Sequence, residues 1–270
     1  MSTYRGDRLQ LDLTDIEQLD VRIVGGEVNV TASSSQQGGT ARVEVDVLRG
    51  PEVSVDVRDG TLVVEHQPVR TLGGLLSGTL AAEATVAVVV PEGTPVRVRS
   101  VSGHVFAAGT AVATSLTTVS GRITATGLDG DTSLKTVSGD LEVQGVGGTV
   151  RVNTVSGDLT ISGGDPEEVT ARAVSGDLTF DLDEVPDADC TTVSGDVALR
   201  LPADAGIDLE VVSVSGRLET TFPDDELEAA RRRLRGRIGG GGRRIAVRTT
   251  SGDVTLLRRS DASAGRGLDR

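Results

Sequence analysis

Apolar and polar residues alternate at every second position in short runs along this chain, as in TARVEVDVL, EVSVDVR and ATVAVVV. That is the period of a β-strand with one buried face, not the 3.6-residue period of a helix. Further along, the runs fall into a repeated phrase, cleanest as KTVSGDLEV, NTVSGDLTI, RAVSGDLTF and TTVSGDVAL. Its Ser-Gly dipeptide places Ser at 102, 120, 138, 156, 175, 194, 215 and 251, in steps of 18, 18, 18, 19, 19, 21 and 36, the last being twice 18. Four residues before the Ser stand Val98, Leu116, Leu134, Val152, Ala171, Cys190, Val211 and Val247. Three after it stand Val105, Ile123, Leu141, Leu159, Leu178, Val197, Leu218 and Val254. The inward positions have even offsets before the Ser and odd offsets after it. A corner between two strands changes parity in this way; a straight strand does not.

Each unit therefore reads as strand, Ser-Gly corner, strand and return loop, with Gly supplying a backbone conformation that other residues avoid. One 18-residue unit cannot bury its apolar face alone, but stacked units bury a continuous column. The predicted fold is all-β: a right-handed parallel β-solenoid (β-helix) of about ten coils with an 18–19-residue repeat, the hand following the rule for parallel crossovers. At about 4.8 Å per coil the rod is roughly 50 Å long. Two residues before the Ser, the column Ser100, Thr118, Thr136, Thr154, Ala173, Thr192, Ser213, Thr249 predicts a ladder in which each hydroxyl meets its equivalent in the next coil. The chain divides into one β-solenoid domain, 1–257, and a flexible tail, 258–270. Within the domain lie degenerate coils 1–83, regular coils 84–221, a helix and Gly/Arg-rich insertion 222–244, and a closing coil 245–257. In the degenerate part, Gly25-Gly26 and Asp59-Gly60 take the corner positions and 67–79 is a protruding loop. In the insertion, FPDDELEAARRRLRGRI opens on Pro and acids and ends on Arg, which suits a short helix and its dipole; Leu227 and Leu234, seven apart, share a face. GRIGGGGRR, 236–244, reads as a flexible joint.

These residues carry a resemblance. The recurring T-V-S-G-D-L-x-V coil, the V-x-V-V-V-P-E-G-T-P-V-R-V lead-in and the closing SGDVTLL resemble the bacterial β-strand-repeat family of unknown function often labelled "putative adhesin". The resemblance covers nearly the whole chain, most strongly from about 84 to 257. It implies the fold and an adhesin-like interaction role, and attaches no catalytic residue or cofactor to the motif.

Composition narrows the function classes. The only aromatic residues are Tyr4, Phe106, Phe180 and Phe222, too few for sugar-stacking clefts or base-stacking platforms. One Cys excludes a disulfide framework and a multi-Cys zinc site, and His66 and His104 offer no pair for proton transfer. The N-terminus shows no signal-type segment, so the chain reads as cytoplasmic. The corner column that follows the Ser-Gly stacks Asp140, Asp158, Asp177 and Asp196, whose mutual repulsion a calcium ion would relieve. The G-G-x-G-x-D nonapeptide of calcium β-rolls is absent, and Asp is also a good solvated corner residue, the preferred reading. Cys190 falls in an interior column and reads as core; His66 and His104 read as surface residues. Eight corner serines lack a G-x-S-x-G elbow, and 236–244 lacks a phosphate-loop G-K-[ST]. Residues 231–270 hold 12 Arg against three Asp, a net of +9, while residues 1–230 carry −22 of the chain's −13. Arg231, Arg232, Arg233, Arg235, Arg237, Arg243 and Arg244 therefore read either as a cap lying on the acidic solenoid, the favoured reading, or as contacts to an anionic partner. The expected function is a non-enzymatic, adhesin-like scaffold that binds another protein and self-associates by end stacking. The alternatives are an anionic-surface binder (nucleic acid or membrane) through 231–244, and a β-helix hydrolase or lyase.

Overall fold

The structure, a computed structural model, describes residues 2–34, 39–66, 82–222, 227–230 and 232–259. The described residues form strands and no helix. The N-terminal third contains β1 (Ser2–Gly6), β2 (Arg8–Leu13), β3 (Gln18–Ala32), β4 (Ala41–Arg49), β5 (Val53–Arg58), β6 (Thr61–His66), β7 (Glu83–Val90) and β8 (Val96–Ala108). The regular coils supply β9 (Thr114–Ser120), β10 (Ile123–Leu128), β11 (Thr132–Ser138), β12 (Leu141–Val146), β13 (Thr149–Ser156), β14 (Leu159–Gly164), β15 (Glu168–Ser175), β16 (Leu178–Asp181), β17 (Asp187–Ser194) and β18 (Val197–Leu201). The C-terminal part adds β19 (Ile207–Ser213), β20 (Leu218–Thr220), β21 (Leu227–Ala230), β22 (Arg233–Ile238), β23 (Arg243–Ser251) and β24 (Val254–Arg258).

In the regular part each coil gives one strand to each of two parallel stacks. One stack runs β8–β9–β11–β13–β15–β17, with Ser120, Ser138, Ser156, Ser175 and Ser194 in register. The other runs β8–β10–β12–β14–β16–β18, with Ile123, Leu141, Leu159, Leu178 and Val197 in register. The core lies between them. The column four before the Ser is buried throughout, as are Ile161, Phe180, Leu199 and Leu256 five residues after it. Each such side chain contributes roughly 1.5–3 kcal/mol.

The corner glycines explain the phrase itself. Gly121, Gly139, Gly157, Gly176 and Gly195 have φ between +138° and +154°. A Cβ on any of them would lie 2.1–2.3 Å from the carbonyl oxygen of the glycine one coil earlier. Only Gly meets both demands.

At the ends the structure departs from the sequence expectation. The last Ser-Gly coil is not the last in space. β23 pairs with β17, aligning Ser251 with Ser194, and with β19 on its other side; β24 likewise sits between β18 and β20. The closing coil thus wedges between coils 187–201 and 207–220. The expected helix at 222–244 is absent from the described residues, Pro223–Glu226 lying outside them. β21 and β22 instead form an antiparallel pair that extends the sheet from β19. Leu234 and Ile238 point inward while Arg233, Arg235 and Arg237 point out, a two-residue period that outweighs the seven-residue spacing of Leu227 and Leu234. The Gly-rich joint is a tight crossover past the start of β19, where Arg243 N donates to Gly206 O (3.1 Å) and a Cβ on Gly206 would lie 2.6 Å from Gly241 O.

The degenerate coils are coils only in part. Gly25-Gly26 aligns with Ser102-Gly103, so β3 is a true coil beside β8, and β6 and β7 pair parallel with its two halves. Beyond them β5, β1, β4 and β2 pair antiparallel and close both stacks. Asp59-Gly60, with φ of 49° and 74°, is a hairpin turn between β5 and β6 and not a solenoid corner. Loop 67–79 and tail residues 260–270 lie outside the described residues.

Candidate functional site

The corner column is built by the backbone. Each Asp after a Ser-Gly turns a carboxylate oxygen along the stack, where it accepts the N–H of the equivalent residue in the next coil. Asp158 N donates to Asp140 Oδ1 (3.3 Å), Asp177 N to Asp158 Oδ1 (2.9 Å), Asp196 N to Asp177 Oδ1 (2.8 Å), Asp253 N to Asp196 Oδ1 (2.8 Å) and Arg217 N to Asp253 Oδ1 (2.8 Å). This order repeats the spatial order of the coils. Cations close the run: Arg122 approaches Asp140 (3.6 Å) and Arg217 pairs with Asp253 (2.9 Å), whose carboxyl is held below its ordinary range by the Arg217 N–H and guanidinium. The aspartates Asp140, Asp158, Asp177 and Asp196 thus satisfy backbone donors, and among the described residues no group of three His, Cys, Asp or Glu is arranged to hold a metal ion.

Beside this column runs a feature absent from the sequence expectation. Val101, Val119, Val137, Val155, Val174, Val193 and Val214, each immediately before a corner Ser, are 45–52% exposed. Thr250 fills the same place in the wedged coil. The parity rule alone puts this odd offset outside, so the signal was present in the phrase T-V-S-G-D. The inward Thr column stacks as expected but forms no hydroxyl ladder. The hydroxyls of Thr118, Thr136, Thr154, Thr192 and Thr249 are buried without a hydrogen-bond partner. Thr249 points at its own corner, its Oγ1 3.1 Å from where a Cβ on Gly252 would be. Only Ser213 gains partners there, accepting from Gly216 N (2.8 Å) and donating to Gly252 O (3.1 Å).

The arginine segment lies on its own acidic body. Arg237 pairs with Asp208 (3.0 Å), Arg233 with Glu210 (2.6 Å), Arg243 with Asp187 (3.2 Å) and Arg248 with Asp189 (3.3 Å), while Arg244 reaches Glu210 (3.9 Å). Acidic and basic strands alternate across β17, β23, β19 and β22, so each charge meets its opposite across the sheet. Asp208 and Glu210 are held below the ordinary carboxylate range chiefly by hydrogen bonds from Arg237 and Arg233. Arg259 reaches back from the end of β24 to Asp181 and Asp183 and lowers the Asp183 carboxyl in the same way. Arg232 and Arg235 are exposed and make no ion pair among the described residues; Arg231 lies outside them. A concavity of about 790 Å³ over Asp208, Glu210, Glu228, Arg235 and Arg237 holds both signs of charge.

Cys190 is buried, and burial pushes its thiol up to about 12. His104 is exposed in the corner column. His66, expected at the surface, is half-buried: its Nδ1 accepts the Val24 N–H (3.1 Å), its Nε2 is buried without a partner, and burial lowers its pKa.

No functionally curated protein is similar to the chain in sequence. Among solved structures, one titled "putative adhesin" from Parabacteroides distasonis shares 14% identity at a TM-score of 0.49, covering 96% of this chain and 97% of its own. One titled "putative lipid binding protein" from the same species shares 11% at 0.40, covering 94% and 98%. One titled "putative cell adhesion protein" from Clostridium sporogenes shares 13% at 0.26, covering 93% and 100%. The family description Toastrack DUF4097 matches residues 9–257, nearly the whole described body from β2 to β24, and the chain belongs to that family.

Proposed function

We propose that this protein is a non-enzymatic scaffold that binds a partner protein along the Val-Ser-Asp strip at its corners. The observation that supports this reading is the strip's periodicity: an exposed Val precedes the corner Ser in seven of the eight Ser-Gly coils, and an Asp follows the Ser-Gly in five of them. A reaction centre depends on one singular constellation of groups. A ladder instead offers one contact about every 4.8 Å, which suits an extended partner. A line of exposed valines on a soluble surface is also the kind of apolar patch that marks an interaction site. The arginine segment supports a cap, because Arg233, Arg237 and Arg243 are engaged by Glu210, Asp208 and Asp187. Affinity capture with the wild-type chain and with a V137E/V155E/V174E variant tests the reading. Partners retained by the first and lost by the second support it; identical capture by both overturns it.

A further inference from the structure

The strip has a sidedness that identifies what it fits. On one side of the valines stands the aspartate column. On the other, three residues before each Ser, stands an outward column that includes Lys135, Asn153, Arg172, Thr191 and Arg248. Lys135 and Arg172 are exposed, and neither they nor Asp158, Asp177 and Asp196 make an ion pair among the described residues. The valine line spans eight coils, about 34 Å at 4.8 Å per coil.

We infer that the strip pairs with the same strip of a second copy of this chain, the two stacks parallel and in register about a two-fold axis running along the stack. This rests on the strip being the binding surface and names its partner. A second copy matches the coil spacing along the full length without adjustment, and a two-fold contact uses one patch twice. Rotation about an axis along the stack keeps each coil opposite its own equivalent and brings the aspartate side of one copy to the basic side of the other. Asp140 then faces Lys135, Asp177 faces Arg172, and Asp158 and Asp196 face the neutral Asn153 and Thr191. No coil from 138 to 251 sets like charges opposite each other. An antiparallel pairing would set aspartates against aspartates and repel. The strip, about 34 Å by 15 Å, covers roughly 500 Å² per copy, near the lower limit of specific interfaces, which predicts a dissociation constant on the order of micromolar.

Sedimentation velocity on the full chain across about 1–200 μM tests this at a concentration range that brackets the expected constant. The expected result is a concentration-dependent dimer that V137E/V155E weakens at least about a hundredfold, since it sets carboxylates into the apolar contact. Circular dichroism checks that each variant folds; V137S/V155S replaces the glutamates if they unfold the chain. A charge exchange then fixes the geometry. K135D/R172D alone and D140K/D177K alone are expected to lose the dimer, and an equimolar mixture to regain it as a heterodimer. A monomeric wild-type chain at 200 μM overturns the inference; if capture of a different protein still depends on the valines, the strip reading survives. A dimer indifferent to V137E/V155E, or a mixture that stays monomeric beside a dimeric wild type, also overturns it.

Discussion

Replacing Gly157 with Ala puts the corner argument to a quantitative test. Gly157 has a φ of +142°, and its Cβ would lie 2.2 Å from Gly139 O and 2.7 Å from Gly139 C. Nothing flexible can give way, because these atoms are the backbone of the preceding coil. That backbone is pinned by Gly139 N donating to Ser156 O (3.0 Å) and Gly157 N donating to Ser175 O (3.2 Å). Two terms add. Holding an L-residue in this backbone region costs about 1–3 kcal/mol. Forcing a methyl group into closed packing costs about another 1–3 kcal/mol. The expected loss is therefore about 4 kcal/mol, within a range of roughly 2–6. Gly163 separates the two terms: its φ is +67°, but its Cβ would meet nothing nearer than Asp183 Oδ2 at 3.4 Å. Gly163→Ala should lose only about 1 kcal/mol. Gly93, with nothing within 4 Å of its Cβ position, should be neutral to within about 0.5 kcal/mol. Urea unfolding followed by circular dichroism gives all three differences, with the slope checking that the unfolding unit is unchanged. If Gly157→Ala falls within about 1 kcal/mol of Gly163→Ala, the inter-coil collision is not what selects Gly at the corner.

The remaining predictions concern groups whose environments are already set out. Asp177→Ala removes the acceptor for Asp196 N and should lower stability by about 1 kcal/mol, whereas Asp177→Asn keeps an oxygen there and should stay within about 0.5 kcal/mol; equal losses would show that the carboxylate ladder is incidental. The lowered carboxyls of Asp183, Asp208, Glu210 and Asp253 add stability above the unfolded carboxyl range and lose it as pH falls through their folded values, so the unfolding midpoint should drop below about pH 4. Because these pairs sit in solvent, the drop should be shallower in about 0.5 M salt than at low salt, and a salt-independent drop would point to buried groups instead. Cys190, with its thiol pushed up to about 12, should resist a thiol reagent in the folded protein at neutral pH and react fully in denaturant. Modification of the native protein within minutes would contradict its place in the core.

The interior of the coils was legible because two constraints coincide in each repeat: the two-residue period fixes which residues face inward, and the Ser-Gly corner fixes the change of parity. Cys190 and Val247 take the same inward place for that reason, and both are buried. The same rule puts the valines before each Ser on the outside, where they are exposed. The stretch 233–238 was misread although RLRGRI alternates cleanly, since the arginine-rich tail and the Leu227–Leu234 spacing resembled a helix end. His66, expected at the surface, is half-buried because β3 lies beside β6, a contact between positions 42 residues apart that no local pattern shows.

The order of the coils was not legible, and the reason lies in the repeat. Every coil offers the same register of Ser, Gly, inward Val or Leu and ladder carboxylate, so nothing local distinguishes one neighbour from another. The 36-residue step fitted a skipped coil equally well. What decides the order is the segment between: β19 must receive β22 antiparallel on one side, and the four glycines 239–242 are just sufficient to cross its end and lay β23 on the other. Once β23 occupies that side, β19 cannot touch β17, and the carboxylate chain from Asp196 through Asp253 to Arg217 completes only in this order. The coil 207–220 therefore has no native neighbour in the body until residues 243–258 are in place. The arginines that balance Asp187 and Asp189 arrive with those same residues, so the basic segment closes the fold at the step that gives it its last neutralising contacts.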